Sequence, residues 1–400
     1  VRRAKIGLLA LTLCLLAGCE HISFYNQAVK GHLGIMLSSQ SVNALLEDPE
    51  TTQALRQQLI LTQKIVQYAG TKLLLDADGK YERFVQLQGD YVVWNVFAAK
   101  PLDLRGQTWC YPVAGCAPYR GYYAQEDALA FANKYQHLGF ETYVGGVSAY
   151  STLGWFNDPL LSTFVDDQPF PLAELLFHEL AHSKVWVPGS TAFNESFASF
   201  VGRQGAWEWS QTAMVSESNA YTKWLEQKTQ WQIFKAFALQ VKADLEKIYA
   251  GKESKEGNAG EGKGTSDVLS QRQNYLAQIQ SCYEKNKAKL GGGRYDNLMR
   301  SRFNNAFLMS LGTYDDFFPA FGQLFRQVRG DWSEFYIQVA VLAKLSANDR
   351  AFELAQLLQA ASAIDSDLSS GSGQQKIAAQ ANNHNAEEVH CDAFADHGLN

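Results

Sequence analysis

A basic excess is missing from this sequence. Lys and Arg number 35 against 41 Asp and Glu, a formal charge of −6. That excludes the electrostatic footprint expected of a nucleic-acid-binding protein. Beyond the first twenty residues no apolar run is long enough to cross a bilayer. Histidine is scarce at eight residues and cysteine at six, so any cluster of either carries information. What remains is 46% hydrophobic, 12% aromatic and 19% charged. This is the composition of a folded globular chain, and 400 residues leave ample length for a core.

The first residues read as a targeting segment. Arg2, Arg3 and Lys5 precede a short apolar stretch, Ile6 to Leu16, which ends in Leu16-Ala17-Gly18-Cys19. That ending resembles the bacterial lipobox, in which cleavage precedes a cysteine that is then acylated. The expectation is a leader over 1–18, a lipid at Cys19 and a periplasmic address. Glu20 after the cysteine favours the outer membrane. Export leaves Cys110, Cys116, Cys282 and Cys391 in an oxidising compartment. Four thiols allow three pairings. The turn-rich spacer Tyr-Pro-Val-Ala-Gly favours Cys110 with Cys116.

Apolar periodicity predicts a helical region over 38–70, broken near Asp48-Pro49. Tyr81 to Val85 and Tyr91 to Phe97 read as a hairpin turning at Gly89-Asp90. A helix over 122–138 should end at Gly139, and Phe140 to Tyr150 should be extended, its Gly145-Gly146 marking a bulge or a close backbone approach. From Phe170-Pro171 the chain is read as almost wholly helical, with segments at about 268–289, 297–311, 316–328, 332–345 and 348–362. The Gly/Lys/Glu/Ser run over 251–267 is predicted to be a flexible loop inside one domain spanning 19–364, and 365–400 a disordered tail. The fold class is α+β, predominantly helical, with a small antiparallel sheet beside the helix described next.

That helix carries Phe177-His178-Glu179-Leu180-Ala181-His182. Histidines four apart project from one helical face, the geometry two imidazole ligands of one divalent ion require. The glutamate beside the first can reach a water on the same ion. At this composition the pattern arises by chance in roughly one such chain in a hundred. A catalytic zinc usually takes three protein ligands. Glu195 supplies the third: it follows the break at Pro188-Gly189, on a second helix whose apolar stripe of Phe193, Phe197, Phe200 and Val201 leaves it unexplained by packing. Glu174, one turn before His178, is a competitor placed outside the ligand set. His137, near a helix end, reads as a capping or surface residue.

His178-Glu179-Leu180-Ala181-His182 with Phe193-Asn194-Glu195-Ser196-Phe197-Ala198 resembles the glutamate-zincin metallopeptidases. The Asn-Glu-x-Phe-Ala element is similar to one in zinc aminopeptidases, although the twelve-residue spacer here is shorter than theirs. A closer resemblance is to a bacterial family of predicted aminopeptidase lipoproteins. It also involves Tyr119-Arg120-Gly121-Tyr122, Tyr150-Ser151-Thr152-Leu153-Gly154-Trp155 and Asn304-Asn305-Ala306, and covers about 80–360. It implies a zincin-like fold, one Zn²⁺ held by His178, His182 and Glu195, a peptide substrate, and Glu179 as general base.

The tetrahedral intermediate of such a reaction needs a further donor. Tyr314 is the candidate and Tyr150 the alternative, while Arg120 and Arg302 are candidates to hold a substrate carboxylate, a surface or supporting salt bridge being the plainer reading of both. Phe140 to Tyr150 could present an edge to an extended peptide. Endopeptidase activity competes with aminopeptidase activity. A non-catalytic zinc-binding envelope lipoprotein, acting as a binding or assembly module, is the alternative of a different class.

Overall fold

In the computed structural model, residues 24–111, 115–149, 158–165, 168–212, 220–255, 261–311 and 317–369 are described. The leader, Cys19, the 150–157 segment, Tyr314 and the tail from 370 lie outside them.

The chain opens with helix α1 (24–38), then β1 (Gln40–Ser41), α2 (Val42–Glu47), α3 (Gln53–Thr71), β2 (Arg83–Val85), β3 (Val93–Ala99), β4 (Trp109–Tyr111), β5 (Gly115–Ala117) and β6 (Arg120–Tyr122). It continues through α4 (Gln125–His137), β7 (Glu141–Val147), β8 (Leu160–Leu161), α5 (Ser162–Val165), α6 (Pro169–Lys184), α7 (Thr191–Ser210), α8 (Ala220–Lys255) and α9 (Glu261–Lys285). Five helices complete it: α10 (Asp296–Ser301), α11 (Asn305–Ser310), α12 (Phe318–Gln327), α13 (Trp332–Lys344) and α14 (Ala347–Ser369). The described residues are mostly helical with three small sheets among them, ordered β1-β2-β8, β6-β3-β7 and β4-β5.

Local chemistry sets the boundaries. Ser41 and Thr52 accept hydrogen bonds from Ala44 N and Leu55 N, capping α2 and α3 on either side of Asp48-Pro49. Asp48 cannot be helical before proline. Gly139, at φ 83°, follows α4 in a left-handed conformation natural to glycine. Asn304 caps α11 through Phe307 N. That cap, after a helix that ends at Ser301 with Arg302 as its C-cap, splits the predicted 297–311 helix into α10 and α11.

The expected hairpin is not formed. Residues 83–85 pair with β1 antiparallel and β8 parallel, while residues 93–99 belong to another sheet, between β6 and β7. Gly89-Asp90 therefore links two sheets. In β7, Gly145 and Gly146 pair in unbroken register with Asn95 and Trp94. The glycines mark a close approach: a Cβ on Gly146 would lie 2.3 Å from the Tyr91 ring. The predicted 251–267 loop is also narrower than expected, because α8 runs to Lys255 and α9 begins at Glu261.

The small sheets pack on different helices. The largest hydrophobic cluster joins α3, α6, α7, α12 and α13 to Phe84, Val85, Leu160 and Leu161 of the mixed β1-β2-β8 sheet. The antiparallel β6-β3-β7 sheet packs instead on α4 through Val96, Tyr122 and Phe131. A third cluster binds α8 to α9 and α11. The β4-β5 hairpin is closed by a Cys110–Cys116 disulfide.

Candidate metal centre

Helix α6 starts with two prolines, Pro169 and Pro171, in its first turn, where the missing N–H costs nothing. It buries Leu172, Leu176, Phe177 and Leu180, which turns His178, Glu179 and His182 to one common side. Its neighbour α7 is fixed by the short link between them. Gly189 takes φ 75°, and buried Asn194 clamps the link: its Oδ1 accepts from Val187 N at 2.8 Å and its Nδ2 donates to Val187 O at 2.9 Å. Glu195 is the next residue, so the clamp sets its position. The two helices approach closely at Gly202, where a Cβ would lie 2.7 Å from Glu174 O and 3.2 Å from His178 Cβ.

The result is a converging triad. His178 Nε2 lies 3.2 Å from His182 Nε2 and 3.4 Å from Glu195 Oε2, and His182 Nε2 lies 3.8 Å from that oxygen. Among the described residues this is the one group of three or more such side chains placed to share an ion. Bonds of about 2.0–2.1 Å in a tetrahedron put donor atoms roughly 3.3 Å apart, so the spacing fits a metal of that size. The His182 ring is held edge-on to His178 at 4.9 Å and to half-exposed Trp186 at 5.5 Å. Its Nδ1 is buried with no partner among the described residues, so packing against the two rings, rather than a carboxylate on Nδ1, sets its orientation.

The electrostatics of His182 and Glu195 agree with the geometry. Burial, with the adjacent His178, lowers the His182 pKa to about 4, keeping the imidazole neutral. Burial would raise Glu195, but its bond to His178 and the charges of both histidines outweigh that and hold it below the usual range. A neutral histidine and an ionised carboxylate are the states a metal requires. His178 is raised: burial opposes the charge, yet Glu195, Glu179 and Glu174 together favour it. The site attracts positive charge. Glu179 is pushed up to about 7, chiefly by burial, with His178 opposing and Glu195 and Asp158 reinforcing the rise. A carboxyl poised near neutrality can both take and return a proton.

Glu174 is not a ligand. It bonds Lys228 Nζ at 2.7 Å and Trp224 Nε1 at 3.1 Å, with Arg203 at 3.5 Å, and so ties α6 to α7 and α8. Arg120 is a core residue: its guanidinium stacks 4.2 Å from Phe24 and 4.8 Å from Phe131. Arg302 lines a groove with Trp94, Tyr143 and Asn304 on the α4 side of the sheet. His137 pairs with Asn133 O at 2.7 Å on exposed helix surface. β7 is an edge strand, as a peptide-binding edge must be. Tyr314 and Tyr150 lie outside the described residues.

Three residues join the site that the sequence reading did not assign to it. Tyr119 feels the charge of Glu195, which together with burial raises its hydroxyl; its presence in the Tyr-Arg-Gly-Tyr element was the available signal. Tyr81 and Asp158 sit side by side at the start of the parallel β2-β8 pair, with Tyr81 N donating to Asp158 O at 3.2 Å. Tyr81 is buried in a left-handed backbone conformation at φ 60°, a strain of order 1–3 kcal/mol. Its hydroxyl is raised far above its usual range by burial, then by Glu179 and Asp158. Both charges raising it are carboxylates, so the surroundings of Tyr81 and Glu179 favour positive charge.

A family model described as "Putative aminopeptidase" matches residues 23–354. No curated protein and no solved structure matches the chain.

Proposed function

We propose that this chain, which belongs to that aminopeptidase family and so to the peptidase-type hydrolases, is a zinc-dependent enzyme of zincin type that cleaves the amino-terminal residue from peptides. The observation that carries the reading is the triad of donor atoms 3.2–3.8 Å apart with Glu179 next to one of its members. Two histidines and a glutamate are a donor set typical of hydrolytic zinc. Bound there, the ion would supply a Lewis acid and a water whose pKa falls to about 7.

The chain's own residues do the rest. His178 and His182 present Nε2, and Glu195 presents an ionised carboxylate whose position the Asn194 clamp fixes. Glu179, held near neutrality, takes the proton of the attacking water and delivers it to the nitrogen of the leaving amine. Burial of its carboxyl keeps bulk water from competing for that proton. Tyr119, whose hydroxyl feels the charge of Glu195, is the described hydroxyl suited to donate to the oxygen of the tetrahedral intermediate, the role expected of Tyr314. The Asp158–Tyr81 corner is suited to the substrate ammonium: Asp158 supplies the counter-charge and the Tyr81 hydroxyl accepts a hydrogen bond. The lipid attachment at Cys19, facing the periplasm from the outer membrane, belongs to the same reading and rests on the lipobox pattern.

The test is hydrolysis of an unblocked peptide by the zinc-loaded chain and by Glu179→Gln at equal metal content. The parent should be faster by at least about 10²-fold. Equal rates, or no hydrolysis by either, would leave a zinc-binding envelope module in place of an enzyme.

A further inference from the structure

Helix α1 has two faces, and the fold uses one. Phe24 stacks on Tyr111 at 5.4 Å and meets Tyr122 edge-on at 5.7 Å. Gln27 bonds Gly121 O at 3.3 Å and accepts from Tyr123 N at 3.2 Å. Gly31 lies against the Tyr123 ring, and Ile35 enters the main core. These residues recur every three or four positions, so they form one stripe.

The opposite face is apolar and uncovered. Tyr25, Val29, Leu33 and Leu37, each four residues apart, are 39%, 56%, 50% and 84% exposed. A helix whose outward face carries a continuous stripe of large apolar side chains violates the usual pattern, in which that face is polar. Residues 24–38 contain no Asp or Glu in a chain of charge −6, and Lys30 and His32 lie among them. The lipobox pattern before the helix points to a bilayer as what covers the stripe. Cys19 precedes Phe24 by five residues, so a lipid attached there would hold the start of the helix close to the bilayer. At about 22 Å, a fifteen-residue helix is too short to span a bilayer but suited to lying in its surface.

We infer that α1 lies in the plane of the membrane interface, with Tyr25, Val29, Leu33 and Leu37 seated at the boundary of headgroups and acyl chains. The inference goes beyond the hydrolytic reading. It leans on Cys19 as the lipid attachment only in choosing a bilayer over a protein as the occupant. Its consequence is a second membrane contact beside the anchor. Through Phe24 on Tyr111 and Gln27 on Gly121 it fixes β4 and β6, the strand that follows Tyr119, relative to the lipid surface.

The test uses the full chain in vesicles of three parts phosphatidylethanolamine to one of phosphatidylglycerol. An environment-sensitive fluorophore is attached at Leu33→Cys, at Leu37→Cys or, as control, at Phe352→Cys on α14; all three positions are exposed, so folding is not at stake. Emission from 33 and 37 should shift to the blue, and nitroxide-labelled lipid should quench it at least about threefold more than emission from 352. Equal quenching at all three positions would overturn the inference. So would shielding of 33 and 37 from aqueous iodide without lipid quenching, the sign of a second copy or a protein partner. The tether is read separately, by the mass of the amino-terminal peptide. Lipid quenching at 33 and 37 in protein lacking acyl chains would keep α1 on the membrane and remove Cys19 as the anchor.

Discussion

Gly202→Ala should injure the metal centre without touching a ligand. The added methyl would sit 2.7 Å from Glu174 O, 3.2 Å from His178 Cβ and 3.4 Å from His178 N. None of these atoms is the end of a flexible side chain, so the contact is relieved only by moving α7 from α6, by roughly 0.5–0.8 Å for ordinary van der Waals separation. Overpacking of this kind costs about 1–3 kcal/mol. Alanine regains about 1 kcal/mol of helix propensity over glycine, so the net loss in a urea titration followed by tryptophan fluorescence should be about 0–2 kcal/mol. Metal binding is the sharper readout, because propensity does not restore it. Separating the helices widens the 3.4 and 3.8 Å gaps between Glu195 and the histidines, and zinc affinity, by chelator competition, should fall at least about tenfold. Gly34→Ala, with open space around its Cβ, is the control and should leave zinc affinity unchanged. A Gly202→Ala protein that holds zinc within about twofold of the parent would refute the claim that close approach at this glycine sets the donor spacing.

Other expectations follow from the same geometry. Glu174→Gln should cost about 1–3 kcal/mol, since Lys228 and Arg203 lose their charged partner in a largely buried setting; zinc content should not change, and loss of zinc would make Glu174 a ligand. In metal-free protein, Glu179 titrates near 7 when folded and near 4.5 when unfolded, so its protonated form favours the folded state and that contribution is lost as pH rises through 7. Glu179→Gln should therefore be more stable than the parent at pH 8, with the gap closing by pH 4.5; a gap constant across that range in paired urea titrations would count against a raised Glu179. Asp158→Asn should lower kcat/KM for free-amine peptides about 10- to 100-fold while leaving N-acetylated peptides unaffected. An equal fall on both would assign Asp158 to structure rather than to amine recognition.

The metal site was legible because its parts are local. The spacing of His178 and His182 is one helical turn, and Glu195 follows a turn announced by Pro188-Gly189. The partners of Asn194 were not legible, although the residue stood in the motif: nothing in the sequence pairs its amide with Val187. Strand pairing failed for a related reason. Short runs of β-formers specify extended backbone but not a partner, so Arg83 to Val85 found Leu160 and Leu161, 76 residues on in register, in place of the adjacent strand. Tyr81 and Asp158 reached the site through that pairing, beyond the range of any spacing argument. Arg120 was a candidate for a carboxylate or a salt bridge; its guanidinium instead lies between the rings of Phe24 and Phe131. The low-complexity run near 251–267 lacks apolar residues, yet helices α8 and α9 extend into it from both sides.

Metal content per chain tests the central claim most directly. Purified protein exposed to excess zinc and then desalted should retain about one zinc, the number a single triad holds. Glu179→Gln should retain the same amount, while His182→Ala and Glu195→Ala should each retain little. Zinc unaffected by loss of His182 or Glu195, or absent from the folded parent, would contradict the account.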